Sequence, residues 1–212
     1  MIDARHPRPT DFSAPPTRVD LERWADADRS ARPARLGRLR ARMEEAGVDA
    51  YFGVRREHMR YLTGFSLAET ETASAGDSGK FLVTADGVRV LADSRYTIQA
   101  RREVPDSVQF ECYHALSERW PALVAEAGAH RVAVEAGFVP HATWERLAAA
   151  APDVELIAVE GWVEADRQVK EPAEIERIAA ACAVADRALA ALLPMIRPGM
   201  TEAELAMDLE WR

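Results

Sequence analysis

The 212-residue sequence predicts an α/β fold built on one mixed sheet. Three observations carry that reading. Short apolar runs of strand length, such as residues 48–54 and 131–134, alternate with amphipathic stretches of helical length. Phe81-Leu82-Val83-Thr84, the turn pair Asp86-Gly87 and Val88-Arg89-Val90-Leu91-Ala92 form a hairpin signal, which puts an antiparallel pair into the sheet. Apolar residues make up 48% and charged residues 29%, an ordinary globular balance, and a chain of this size can bury a core without a disulfide or a metal.

Each element follows in order. Residues 1–29 carry Pro7, Pro9, Pro15 and Pro16 among charged and small residues, and predict a mobile arm with one short helix near 19–27. From Pro33 on, Leu36, Leu39, Met43 and Ala46 recur at helical spacing and Gly47 stops the run. Residues 48–54 predict a strand, 60–65 a second β-prone piece, and 66–79 a long polar loop before the hairpin. Helices are expected at 96–103, 116–127 and 141–151, with strands at 108–113, 131–134 and 154–159. The whole is a single N-terminal α/β domain over residues 30–165, with flanking helices.

Residues 166–212 differ in character. Ile175, Ile178, Ala179, Cys182, Ala185, Leu189, Leu192 and Leu193 form a helical stripe, with Pro172 in the first turn, where its missing amide hydrogen costs nothing. Arg197-Pro198-Gly199 breaks the helix. Thr201 and Glu204 then read as a capping box for a further helix through Leu205, Leu209 and Trp211. One and a half helices with an open apolar face predict the start of a second, truncated domain.

Charge and composition exclude several classes. The net charge is −8, which argues against nucleic acid or an anionic membrane as partner. Of the basic residues only Lys80 and Lys170 are lysines. Cys112 and Cys182 are too few for a disulfide scaffold, and both read as small core hydrophobes. No apolar run reaches the length of a membrane helix, and the N-terminal residues lack the apolar core of a signal peptide. The expected compartment is the cytoplasm.

Sites of chemistry are sparse. Gly79-Lys80 fails as a phosphate loop, because position 74 is Ser74 and position 81 is Phe81. No His-Glu-x-x-His or Gly-x-Ser-x-Gly occurs, and His6, His58, His114, His130 and His141 read singly as surface or core residues. Asp93, Arg95 and Tyr96 suggest a buried Asp–Arg pair that ties a strand to a helix. Glu69, Glu71 and Asp77 crowd the 66–79 loop.

The order of motifs is more specific than any one of them. Tyr61-Leu62-Thr63-Gly64-Phe65, the hairpin with its Asp86-Gly87 turn, Ala92-Asp93-Ser94-Arg95-Tyr96, Val132-Ala133-Val134-Glu135, Lys170-Glu171-Pro172-Ala173-Glu174-Ile175 and Ile196-Arg197-Pro198-Gly199-Met200-Thr201-Glu202 follow one another over about 175 residues. Together they resemble the N-terminal domain and the opening of the second domain of the creatinase, prolidase and aminopeptidase P family.

That resemblance implies a complete protein that hydrolyses the bond before proline in peptides. Its "pita-bread" second domain would use two divalent metals (manganese, cobalt or zinc) held by Asp, His and Glu, and the protein would be a homo-oligomer, with a dimer expected. It places no catalytic residue and no metal ligand on this chain, which is expected to be inactive alone. It implies that Glu69, Glu71 and Asp77 lie near the substrate of a neighbouring subunit, where carboxylates suit a peptide's α-ammonium group. The alternative is a stand-alone dimerisation or binding module.

Overall fold

The computed structural model describes residues 15–67 and 78–211. The chain divides into two units. One holds residues 28–169, and the other holds the N-terminal residues to Ala27 together with Lys170–Arg212.

The larger unit is built on a six-stranded sheet. Its strands are β1 (Ala50–Gly53), β2 (Lys80–Thr84), β3 (Val88–Ala92), β4 (Gln109–Cys112), β5 (Arg131–Glu135) and β6 (Glu155–Val159). Their spatial order is β4-β3-β2-β1-β5-β6. β2 runs antiparallel to both neighbours, while β3–β4, β1–β5 and β5–β6 are parallel. The Asp86-Gly87 hairpin is therefore what makes the sheet mixed. The strand order reverses between β1 and β5: the chain leaves β1 for β2, β3 and β4 on one side and returns to β5 on the other.

The two-residue period of the strands sorts their side chains between two cores. Tyr51, Phe81, Val83 and Val90 face one cluster with Leu39, Met43, Met59, Leu62 and Phe65. Phe52, Leu82, Leu91, Val132 and Val134 face the other with Trp120, Leu123 and Leu147. The first cluster draws helical residues from α1 (Arg18–Ala46), α2 (Arg56–Thr63) and α3 (Thr97–Glu103), and Val163 from the helix after β6. Those of the second come from α4 (Leu116–Glu126) and α5 (His141–Ala150).

Three expectations change. Residues 60–65 are not a strand. Residues 60–63 lie in α2, where His58, Met59, Tyr61, Leu62 and Thr63 are buried, and Gly64 ends the helix in the left-handed region at φ 87°. The aromatic and β-branched content of Tyr61-Leu62-Thr63 signals a strand locally, but the buried positions follow the helical period. The separate short helix near 19–27 is instead the first part of α1, which runs unbroken through Pro33. Proline removes one backbone bond in a helix interior. Near that turn Arg35 is buried, donating to Asp28 Oδ1 at 3.1 Å and to the Tyr61 carbonyl at 3.1 Å, with its guanidinium 4.1 Å above the Tyr61 ring. A helix with no apolar signal of its own, α6 (Trp162–Gln168), follows β6 and is tied to α1 by Arg42, which bonds Asp166 at 2.6 Å and the Trp162 carbonyl.

In the smaller unit, α7 (Pro172–Leu192) and α8 (Glu202–Glu210) each begin with a capping box, Glu171/Glu174 and Thr201/Glu204. Trp24 is almost fully buried. Its indole Nε1 donates to Glu176 Oε2 at 3.0 Å, and its carbonyl accepts from Arg177 at 3.0 Å. Both cysteines are exposed, not core: Cys112 ends the edge strand β4 and Cys182 lies on an outward face of α7. Residues Pro172–Met195 reach the length and mean hydropathy, 1.6, of a membrane-crossing helix, which corrects the expectation that no run does so. Alanine and leucine supply that value, and Asp186 and Arg187 interrupt the run.

Candidate functional site

The residues singled out in the 66–79 loop, Glu69, Glu71 and Asp77, lie outside the described residues. The two stems of that loop are described. Ser66 donates from its backbone N to Glu103 Oε2 at 3.0 Å, and its carbonyl accepts from Gln99 Nε2 at 2.6 Å. On the other stem the Ser78 hydroxyl bonds Asp93, and Gly79 N donates to the Leu91 carbonyl at 3.0 Å.

Asp93 is the N-cap of the short 3-10 turn at Ser94–Tyr96 and accepts from Arg95 N. The Arg95 guanidinium, 2.7 Å away, with the Ser78 hydroxyl, holds the Asp93 carboxyl well below the usual carboxylate range. The pair is partly exposed, not buried, because the two residues are sequence neighbours at the surface end of β3. Its role is local: it caps a turn and pins the loop's exit.

The buried polar centre of the larger unit is elsewhere. Glu135, at the carboxyl end of β5, is 3% exposed and accepts four hydrogen bonds. Tyr51 Oη reaches Oε1 at 2.9 Å, and His58 Nδ1 lies 2.7 Å from the same oxygen. The backbone amides of Val54 and Arg55 reach Oε2 at 2.7 and 2.8 Å. Those two amides belong to the turn between β1 and α2, where Arg55 is an N-cap without a capping side chain. A carboxylate from the neighbouring strand thus supplies the missing cap.

Against a carboxylate, which only accepts, a neutral His58 ring carries its proton on Nδ1 and presents Nε2 as an acceptor. Nε2 is buried and has no hydrogen-bond partner. The nearest carboxylate oxygen, Glu164 Oε1 on α6, is 3.6 Å away. Burial, and then the Glu135 charge, push the Tyr51 phenol far above its ordinary range, so it stays a donor.

Beside this centre a pocket of about 330 Å³ opens at the carboxyl ends of β1, β5 and β6. It is lined by Tyr51, Glu135, Gly137, Phe138, Val159, Glu160, Gly161 and Glu164. Carboxyl ends of strands, next to the point where strand order reverses, are the general place for ligands in open α/β sheets. Arg55 sits at the rim with its guanidinium 4.4 Å above the Phe138 ring and Nη1 3.2 Å from Glu164 Oε1.

None of this was visible along the chain. Glu135 stood out only as a strand ending and His58 only as a lone histidine, since their partners are 77 to 84 residues apart in sequence. The one local signal was an acidic residue ending an otherwise apolar strand. Among the described residues no group of three or more His, Cys, Asp or Glu could hold a metal ion. The Glu135 centre does not fit one either, because its oxygens are committed to four donors.

Comparison with known proteins agrees with this architecture. A family model described as the creatinase/prolidase N-terminal domain matches residues 35–169. An uncharacterized peptidase of Bacillus subtilis (strain 168), YqhT, is 28% identical over 177 residues, covering 84% of this chain and 48% of the relative. The Xaa-Pro dipeptidase of Bacillus anthracis superposes with a TM-score of 0.73 at 25% identity, over 84% of this chain and 47% of that one. The N-terminal domain of the cytoplasmic peptidase PepQ from Mycobacterium tuberculosis H37Rv superposes with a TM-score of 0.52 at 29% identity, over 62% of this chain and 97% of that one. The chain therefore spans about half the length of the first two and nearly all of the isolated domain. By the match over residues 35–169, the chain belongs to the creatinase/prolidase N-terminal domain family.

Proposed function

We propose that this chain is the non-catalytic, N-terminal portion of an Xaa-Pro metallopeptidase whose complete form hydrolyses the bond before proline. The observation that carries the reading is a coincidence of two facts. The family match falls on the N-terminal domain, and no group among the described residues could hold a metal ion. Relatives described as an Xaa-Pro dipeptidase and an X-Pro aminopeptidase support the substrate class. A metal pair in the complete protein would activate water and polarise the scissile carbonyl. A homodimer, a cytoplasmic setting, and an approach of the 66–79 loop to the substrate belong to the same proposal.

The test is an assay of proline release from an Xaa-Pro dipeptide with manganese. Residues 1–212 alone are expected to release none, and a polypeptide that continues through a complete second domain is expected to be active. Steady metal-dependent release by the pure 212-residue chain would overturn the proposal. In the complete protein, E69Q/E71Q/D77N is expected to lower kcat/KM on short substrates. A change within about twofold would remove the loop from the proposal.

A further inference from the structure

We propose that the pocket at the carboxyl ends of β1, β5 and β6 is a binding site for a small ligand bearing a primary ammonium group and a short apolar body. The inference does not depend on the peptidase reading.

Four features point the same way. The first is the wall chemistry. Tyr51, Phe138 and Val159 give apolar and aromatic surface, and every charged residue of the lining is acidic: Glu135, Glu160 and Glu164. Aromatic faces beside carboxylates favour an organic cation.

The second is which of those charges remain open. Glu135 is saturated by its four donors. Glu160 has no hydrogen bond or ion pair among the described residues, and Glu164 engages its neighbours through Oε1 only. Gly161, in the left-handed region at φ 76°, makes the turn between β6 and α6 that brings residues 160 and 164 to one pocket. An ammonium group has three donors and no acceptor, which suits two carboxylates with free oxygens.

The third is His58. Its ring is fully buried and lies edge-to-face with Phe138 at 6.1 Å. Its unpartnered Nε2 is turned toward Glu164, on the pocket wall. In the neutral tautomer set by Glu135, Nε2 lacks a donor, and an ammonium group seated against the lining residue Glu164, whose Oε1 is 3.6 Å from Nε2, supplies one. A buried acceptor without a donor carries a desolvation cost that a ligand N–H would relieve.

The fourth is a cation already seated at the rim. Arg55 covers the Phe138 face and bonds Glu164, so this aromatic–carboxylate pair accepts a positive group within the protein's own chain. The pocket volume, about 330 Å³, limits the body to the size of an amino acid or a short peptide end.

A free amino-acid derivative and the N-terminus of a peptide present the same ammonium chemistry. Titration of the 15N-labelled 212-residue chain separates them, with leucinamide, the dipeptide amide Leu-Pro-NH2, N-acetyl-leucinamide and magnesium chloride as probes. Saturable amide shifts at Phe138, Gly161 and Glu164 are expected from one or both amines at about millimolar concentration, and none from the acetylated compound or the metal. Tighter binding of leucinamide assigns the site to single amino-acid amines, and tighter binding of Leu-Pro-NH2 to peptide ends.

E160Q/E164Q is expected to weaken binding about tenfold or more. Glu160 holds no bond, so E160Q alone keeps the test readable if the double variant does not fold. The proposal is overturned if neither amine gives saturable shifts, if N-acetyl-leucinamide or magnesium gives the same shifts, or if E160Q leaves affinity unchanged.

Discussion

At the residue scale, Glu135 is a buried polar tie of the larger unit. It joins β1, β5 and α2 through one carboxylate. Glu135→Ala would leave two amides, a phenol and an imidazole without their acceptor. A buried donor left without its acceptor costs about 1–3 kcal/mol, so urea denaturation of E135A, which strands several, is expected to show a loss of about 3 kcal/mol or more. Tyr51→Phe removes one donor and leaves the carboxylate three, so about 1 kcal/mol is expected.

Asp93 makes a pH prediction. Its carboxyl is held low in the folded chain, chiefly by Arg95, so its contribution is complete above the unfolded value of about 4. That contribution drains as pH falls toward the lower folded value. Asp93→Asn lacks it at every pH, so urea midpoints for D93N should fall less steeply than wild type between about pH 5 and 2. Parallel curves would show that Arg95 and Ser78 do not hold the charge.

At the scale of the element, legibility followed the range of the forces. The Asp86-Gly87 hairpin, β5, the helix start at Pro172 and the Thr201/Glu204 capping box were readable because each is specified within a few residues. The helix α2 was not, since Tyr61-Leu62-Thr63 has β-prone content and only burial by α1 and the sheet selects the helical period. α6 was missed for a similar reason: its seven residues carry no apolar stripe, and Arg42 on α1 holds it from 120 residues away. The Glu135 centre was invisible on the same grounds.

The pairing of β1 with β2 offers a sharper test of packing. A Cβ built on Gly53 would lie 2.1 Å from the Phe81 ring, closer than atoms can approach. Gly53→Ala must therefore displace that ring within the core, and overpacking of this kind costs about 1–3 kcal/mol. The double variant G53A/F81L frees the space and is expected to recover part of the loss. Additive destabilisation in the double-mutant cycle would refute the contact.

At the scale of the whole molecule, the two units differ in how much apolar surface they hide. The larger one has a core on each face of its sheet, with β1 buried at all four positions. In the smaller one, α7 buries only Ala180 and Leu192, and α8 buries no residue. Ile178, Leu189, Leu193, Met207 and Trp211 are all exposed. Capping boxes fix where these helices start, but helices gain most of their stability from tertiary burial of an apolar face. Local opening should therefore cost much less in 172–210 than in the sheet. Amide hydrogen exchange on the 212-residue chain is expected to run at least about a hundredfold faster in α7 and α8 than in β1 and β5, a difference of ~2.7 kcal/mol in opening free energy. The measurement belongs at a concentration where light scattering shows a monomer, since association through the exposed stripe would itself slow exchange. Equal protection of helices and sheet in that monomer would mean that the few buried residues of α7 suffice to hold both helices, and the prediction would fail.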